Sequence, residues 1–537
     1  MLEAPTNKIL ILVLLAAPVL LQNGSNSSQE VAAAARSIEL EDIRSKMFFL
    51  ATDEMGGRLV GTLEDRIAAN YIESEFMALG LKPFGDNSSY FQEFDVLSAW
   101  PDESKGMVLE ATIGGQRKTF QRGHDFDTWW VQSVNSEVAQ GSIEFLGYGI
   151  NAPEYGYNDF AGVNLRGKIA MVLAREPQAD DPTSKFRGAW DTYHAYDWFK
   201  IEEVRKAGAA GLLIVNPVFQ FRESRVPSAP PNYTLPEPKY GMGERIWDLP
   251  VFMITPEVAN ELLSNSGKSI TALQKEIDSR LKPNSFELTG VTVREEKNFQ
   301  PSKLLKGRNV IGLLEGSDQI LKNQYVVVSG HYDHVGINSS RIYRGADDNV
   351  SGVVGTLEIA QAFVRAGLKP KRSIIFVCFD AEEEGLFGSA YYIQHSPVPV
   401  ADTVANLNMD MIGRDEESLT WHNTAEQNRN MVNIVGTLYN PEIRQIIEQK
   451  NQSTGLKLDF KTDTRDPDQW FARSDHFWFA TRSIPQVLFN TGEQNDYHTE
   501  NDTWTRLNYP KMTKIVQLIF LTADEMANAA QRPKFTP

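Results

Sequence analysis

The sequence predicts an α/β protein in which a mostly parallel central sheet, flanked by helices, is interrupted by an inserted β-rich domain. Three observations lead there. From Asn309 onward the apolar runs "NVIGLLEG", "YVVVSG", "SIIFVCFD", "VANLNMDMIG" and "IPQVLFNTG" alternate with helical segments. Strands that are apolar on both faces belong to parallel sheets covered on both sides. Between Met107 and Leu288 the texture changes to short β runs punctuated by Gly, Pro and Asn, as in "GSIEFLGYGINAPEYGYNDFAGVNLRGKIAMVLARE". Finally, 537 residues exceed the size at which a single core stops growing, so two domains plus terminal additions are expected.

Taken in order, residues 1–21 read as a secretory signal peptide: Lys8 precedes an apolar run from Ile9 to Leu21 that is too short to span a bilayer comfortably. A polar linker over 22–36 follows. Residues 37–106 form the first part of the α/β domain. There Ile38, Ile43, Met47 and Leu50 recur at helical spacing. The segment "GGRLVGTLEDRIAANYIESEFMALGLKP" gives a glycine-rich loop, Thr62 as a helix N-cap, and Gly80 and Pro83 as the stop. Residues 107–288 are the β-rich insert, with "VPSAPPNYTLPEPKYG" as a surface loop. Residues 289–537 complete the α/β domain. A helix from about Asn349 carries a core stripe of Val350, Val353, Val354, Leu357, Ala360 and Val364, and another begins near Leu386.

Composition excludes several functions. The formal charge of −17 argues against binding a phosphate backbone, so nucleic acid is not expected as a partner. The single cysteine, Cys378, rules out a disulfide framework and reads as a small buried hydrophobe in its strand. Export without disulfides suits a periplasmic or secreted protein, with no stable membrane insertion once the signal is removed.

Chemistry concentrates at the C-terminal ends of the predicted strands, where open α/β sheets place their sites. His331 and Asp333 follow "VVVSG"; "GADDNVSG" brings Asp347 and Asp348; "FDAEEEG" brings Glu382 and Glu383; "NLNMDMIG" brings Asp410; "NDYHTENDT" brings His498. Any one of these would ordinarily cap a helix or meet water. Together they call for another explanation. Mixed imidazole and carboxylate ligands suit zinc or a similar divalent ion, and the set exceeds what one tetrahedral ion needs. Two ions about 3.5–4 Å apart need a bridging carboxylate. Adjacent glutamates allow one to bind metal and the other to act as general base.

The motif order, an HxD after a strand, GADDNxSG, paired Glu before GLxGS, NxDMIG and a late YHT, resembles the M28 family of zinc aminopeptidases with a protease-associated (PA) domain insert. The resemblance runs from about Arg36 to the C-terminus, and "EFLGYGI…GKIAMVL…KAGAAGLLIV" is similar to PA domains. It implies a zinc-exopeptidase fold and two Zn2+ per chain. His331 and Asp410 would be terminal ligands of one ion, Glu383 and His498 of the other, and Asp348 the bridge. Glu382 would be the general base, and Asp333 would hydrogen-bond His331 and fix its tautomer. The resemblance also implies a cis peptide at Asp348-Asn349. His334 is read as local structure and Arg344 as charge balance; Asp475 and His476 shape the pocket, and Asp502 supports His498. The implied reaction releases the N-terminal residue of peptides with a free N-terminus. Within the same fold, a glutamate-carboxypeptidase-like enzyme would need several arginines over the pocket and a glutaminyl-cyclase-like enzyme a single zinc. A non-catalytic, receptor-like binding protein would have lost ligands.

Overall fold

The computed structural model describes residues 27–536 apart from 100–101, 103, 129–136, 180, 182, 187–190, 217–231, 235–248, 299–302, 339, 418–422, 465 and 467–469. The expected signal peptide and most of the proline-rich loop lie outside the described residues. Among those described, no helix is long and apolar enough to cross a membrane.

The apolar runs become the centre of a mixed sheet. Its spatial order is Asn232–Thr234, Phe91–Ala99, Lys303–Leu314, Ser373–Phe379, Tyr325–His331, Thr403–Met409, Gln486–Asn490, Met431–Val435 and Lys457–Asp459, with Lys82–Pro83 beside Lys303–Leu314. The strands Ser373–Phe379, Tyr325–His331, Thr403–Met409 and Gln486–Asn490 are mutually parallel and buried on both faces. The strands on either side of that group run antiparallel to it. Register places His331 opposite Phe379, Ser329 opposite Asn408 and Met409 opposite Phe489, so four strands end at one edge.

Thr62 caps the helix Leu63–Ala78 as its sequence predicts, its Oγ1 accepting the Asp65 N–H at 3.2 Å. The helix Ser351–Arg365 buries its valine and leucine stripe and more: every residue from Ser351 to Phe363 is buried. Helices Leu40–Leu50 and Tyr509–Asn528 cover its outer side, with the rings of Phe363 and Phe520 4.7 Å apart. Glu358 is consequently buried and takes its cation from Lys46, 2.6 Å away.

Two expected boundaries move. The stretch 22–36, expected as a polar linker, is helical over Ser28–Arg36. Ser27 and Glu30 close a capping box, and Ala34 and Ala35 enter the core. The polar residues around the cap concealed the short apolar face behind it. The insert expected to end at Leu288 extends further, because the strand Phe286–Lys297 pairs with Val108–Ile113 and Glu137–Phe145.

The second sheet has the order Gln116–Phe120, Val108–Ile113, Phe286–Lys297, Glu137–Phe145, Ile169–Leu173, Gly211–Val215, Val251–Ile254 and Phe126–Thr128. One face builds its own core from Leu109, Ile143, Met171, Leu213, Phe252 and Val293. Residues of the other face, Ala170, Val172, Leu212 and Ile214, share a cluster with Phe471 and Phe477 of the main domain. Tyr196 joins the two units, its ring centroid 6.1 Å from Phe471 and 6.2 Å from Phe477. The insert therefore has a core of its own and a common one. Calorimetry should show both units melting in a single transition, and Tyr196→Ala should cost about 3 kcal/mol, as for other buried aromatics truncated to alanine. Two well-separated transitions in the unmodified protein would count against the shared core.

Candidate metal centre

The edge where the parallel strands end is built for close approach. Gly330 precedes His331, and a Cβ there would lie 2.9 Å from Met409 O and 3.0 Å from Gly352 C; one on Gly352 would lie 2.4 Å from Met409 O. Both positions need glycine so that the start of the helix Ser351–Arg365 can rest on the strand ends. That contact carries the Ala346–Val350 turn, and with it Asp348, over His331. The Asp348-Asn349 peptide is cis, as the resemblance implies.

Backbone hydrogen bonds fix the turn. Asn349 donates from Nδ2 to Met409 O (2.9 Å) and accepts on Oδ1 from Gly352 N (2.8 Å) and Met411 N (3.3 Å). Asp347 Oδ1 accepts from Gly413 N at 2.7 Å. Asp502 accepts from Asp347 N and Asp348 N at 3.0–3.1 Å, so it holds the turn and not His498 as expected. On the other side, Asp333 takes Glu382 N on Oδ1 (3.0 Å) and Glu383 N on Oδ2 (3.2 Å), while its Oδ1 is 3.5 Å from His331 Nδ1. His331 Nδ1 bonds the main-chain O of Asp333, at 3.3 Å, so Asp333 orients the imidazole through its carbonyl and the paired glutamates through its carboxylate.

The side chains then converge in two groups. His331 Nε2 lies 3.4 Å from Asp348 Oδ1, 3.6 Å from Asp410 Oδ1 and 3.7 Å from Glu382 Oε2. His498 Nε2 lies 2.9 Å from Asp348 Oδ2 and 3.1 Å from Glu383 Oε2. Asp348 thus turns one oxygen to each group. His334 joins the second group through Glu383, a placement that its reading as local structure missed.

The spacings around His331 fit a metal better than they fit hydrogen bonds. Ligands at about 2.0–2.1 Å from one tetrahedral zinc stand roughly 3.3 Å from each other. His331 Nε2, Asp410 Oδ1 and His498 Nε2 are buried without a hydrogen-bond partner, a costly arrangement unless a cation takes their lone pairs. Electrostatics agree. Burial alone would lower the pKa of His331, but Glu382 and Asp410 raise it well above the usual imidazole value. Burial opposes ionisation of Asp348 too, yet His331 and His498 hold it well below the carboxylate range. Glu383 is likewise brought down to about 2 against burial, by His498 and His334. Glu382 moves the other way, raised by burial and by the charges of Asp410, Glu383 and Asp475.

Known proteins share stretches of this sequence and its fold. Residues 309–523 match peptidase family M28. That stretch of the chain is therefore similar to the M28 peptidases. Over 94% of its length it is similar to aminopeptidase YwaD of Bacillus subtilis (strain 168), at 24% identity and with 91% of that protein covered. A probable glutamate carboxypeptidase, VP8 of Zea mays, is 27% identical over 40% of this chain and 28% of its own length. Among solved structures, the aminopeptidase from Aneurinibacillus sp. strain AM-1 aligns with a TM-score of 0.56 at 20% identity, over 94% of this chain and 98% of that one, and so shares its fold.

Around this site the remaining residues sort by contact. Arg344 bonds Asp53 and Glu500 O (2.6 Å), consistent with charge balance on the surface. Asp475 is buried outside both groups, with its carboxyl pushed up to about 7, chiefly by burial. Burial also lowers His476, to about 3. The residue that sequence reading overlooked most is Arg58, in the loop "GGRLVG". Fully buried, it donates to Tyr332 O (2.7 Å), Arg344 O (2.8 Å), Gly345 O (3.0 Å) and Leu50 O (2.9 Å), and so ties the loop after His331 to the loop before Asp348. Its signal in the sequence was an arginine between glycines, without any visible acidic partner, because its acceptors are carbonyls. Burial lowers its pKa to about 10, against the pull of Asp333, Asp502 and Asp348, and it stays charged at neutral pH. Arg58→Met should leave several buried carbonyls without a donor, at about 1–3 kcal/mol each, and lower stability to urea by about 3 kcal/mol or more. A change below about 1 kcal/mol would mean that these carbonyls find other donors.

Proposed function

We propose that the chain is an exported zinc aminopeptidase that binds two zinc ions and hydrolyses the N-terminal residue from peptides. The observation that carries the reading is Asp348, whose two oxygens face two separate ligand groups. His331 and Asp410 would hold one ion, Glu383 and His498 the other, with Asp348 between. The four carboxylates of the two groups, Asp348, Glu382, Glu383 and Asp410, match the charge of two divalent ions. When bound, zinc supplies a Lewis acid that polarises the scissile carbonyl and makes water acidic enough to deprotonate near neutral pH.

The protein's own residues supply the rest. Glu382 has the raised pKa of a general base that must take a proton from the attacking water and return it to the leaving amine. Asp333 sets its position through the Glu382 N–H and, by its main-chain O, the tautomer of His331. The surplus of carboxylates suits the substrate's α-ammonium and disfavours an acidic substrate end. That ranks glutamate-carboxypeptidase-like activity lower, and retention of both ligand groups ranks a single-zinc cyclase or an inert receptor lower still. The inserted sheet is read as a PA domain, and the N-terminal run as the signal for secretion or delivery to the periplasm.

Metal analysis tests the bridge. Asp348→Ala should empty both sites, whereas His331→Ala should chiefly affect one; two ions retained in Asp348→Ala would defeat the assignment. Activity on aminoacyl chromogenic substrates should vanish with chelator, return with zinc, and be absent on N-blocked peptides. Glu382→Gln should keep both ions and the fold while turnover falls by about 10² to 10⁴, the range for losing a general base. Near-normal turnover, or lost metal, would place the base elsewhere.

A further inference from the structure

His334 closes the run "HYDH" and is fully buried. Its N–H donates to Arg58 O at 3.1 Å, which fixes its backbone. Gly345, at φ +54°, makes room for its ring, since a Cβ there would lie 2.5 Å from His334 Cγ and Cδ2. The imidazole Nδ1 then faces Glu383 Oε1 at 2.5 Å, with Asp348 Oδ2 at 3.9 Å. This spacing separates two roles. Groups sharing a tetrahedral zinc stand roughly 3.3 Å apart, and the other imidazole–carboxylate pairs of the site span 2.9–3.9 Å. A contact this far inside that ligand–ligand spacing is a hydrogen bond to the carboxylate instead. An ionised carboxylate only accepts, so Nδ1 carries the proton.

We infer that His334 is a positioning residue for the second ion: it donates from Nδ1 to Glu383 Oε1 and leaves Oε2, which faces His498 Nε2 at 3.1 Å, as the one oxygen Glu383 offers the metal. The inference rests on the two-ion reading above. Asp333 holds the same glutamate by its N–H. Two residues of one short loop thereby fix both the backbone and the carboxylate of one ligand. With Oε1 occupied, Glu383 binds through a single oxygen, which keeps the coordination number low and favours zinc over larger, oxygen-seeking ions.

The test uses full-length protein loaded with cobalt(II), whose visible absorption per ion is strong in four-coordinate and weak in six-coordinate sites. His334→Leu should weaken uptake of the second ion by about 10- to 100-fold, the range for losing an outer hydrogen bond to a ligand, and lower its absorption as Glu383 binds through both oxygens. His334→Asn, whose Nδ2 falls where Nδ1 was, should restore affinity and spectrum together. Should His334→Leu fail to fold by circular dichroism, His334→Gln, with its amide one methylene further out, takes its place. Two ions bound by His334→Leu with unmodified affinity and spectrum would overturn the inference. So would a folded His334→Asn as defective as His334→Leu, because the imidazole would then itself be a ligand. If the unmodified protein takes up fewer than two ions, the two-ion reading falls and this inference falls with it.

Discussion

Everything at this site depends on suspending one carboxylate, Asp348, between two groups of buried ionisable side chains. Its oxygens stand 3.4 Å from His331 Nε2 and 2.9 Å from His498 Nε2, nitrogens contributed by chain segments that follow two different strands. No side chain reaches such a point from a regular helix or strand. The turn Ala346–Val350 supplies the reach, and Asn349, Asp347 and Asp502 convert it from a loop into a fixed mount by taking or giving backbone hydrogen bonds. Gly330 and Gly352 then let the following helix press the mount against the strand ends. The helix can occupy that position because outer helices cover its other side.

Burying so much charge in one crevice sets the second condition. The imidazoles and carboxylates sustain each other's charge: His498 is raised to about 10 and Glu383 lowered to about 2, each stabilised by the other against burial. A divalent ion would displace those protons, so metal affinity and pH are linked, with acid favouring release. The backbone contributes as well. Asp333 and Asp502 are both buried and take main-chain N–H groups from the segments that carry Glu382, Glu383 and Asp348. Negative charge is thus used to hold negatively charged segments in place, which works because the N–H dipoles lie between them and because Arg58 sits behind both.

The parallel centre of the sheet and the residues that converge at its edge were legible in the sequence. Strands buried on both faces leave continuous apolar runs, and charged residues directly after such runs have no packing role. The supporting contacts were not legible. Arg58 bonds carbonyls 274 to 287 residues away, and carbonyls carry no side-chain identity for a sequence to display. His334 looked redundant beside His331, because only the turn after the strand shows that the two imidazoles face different groups. The Ser28–Arg36 helix was obscured for a simpler reason: its capping residues are as polar as the linker they were taken for.

Among the described residues, the inserted unit packs against one segment that also reaches the site. Trp470–Ala480 packs outward on Tyr196 and Phe199 of the insert through Phe471 and Phe477. Inward, it carries Asp475, whose charge acts on Glu382, and Ser474, whose Oγ accepts Asn408 Nδ2 at 2.8 Å two residues before Asp410. A displacement of the insert would therefore be felt first where Asp475 acts on Glu382 and where the strand before Asp410 ends, ahead of Asp348. The bridge is insulated because its mount is tied to Arg58, Asp502 and the helix core, on elements outside the inserted unit. The arrangement keeps the mount of Asp348 independent of the insert while leaving Asp410 and the wall around Glu382 answerable to it.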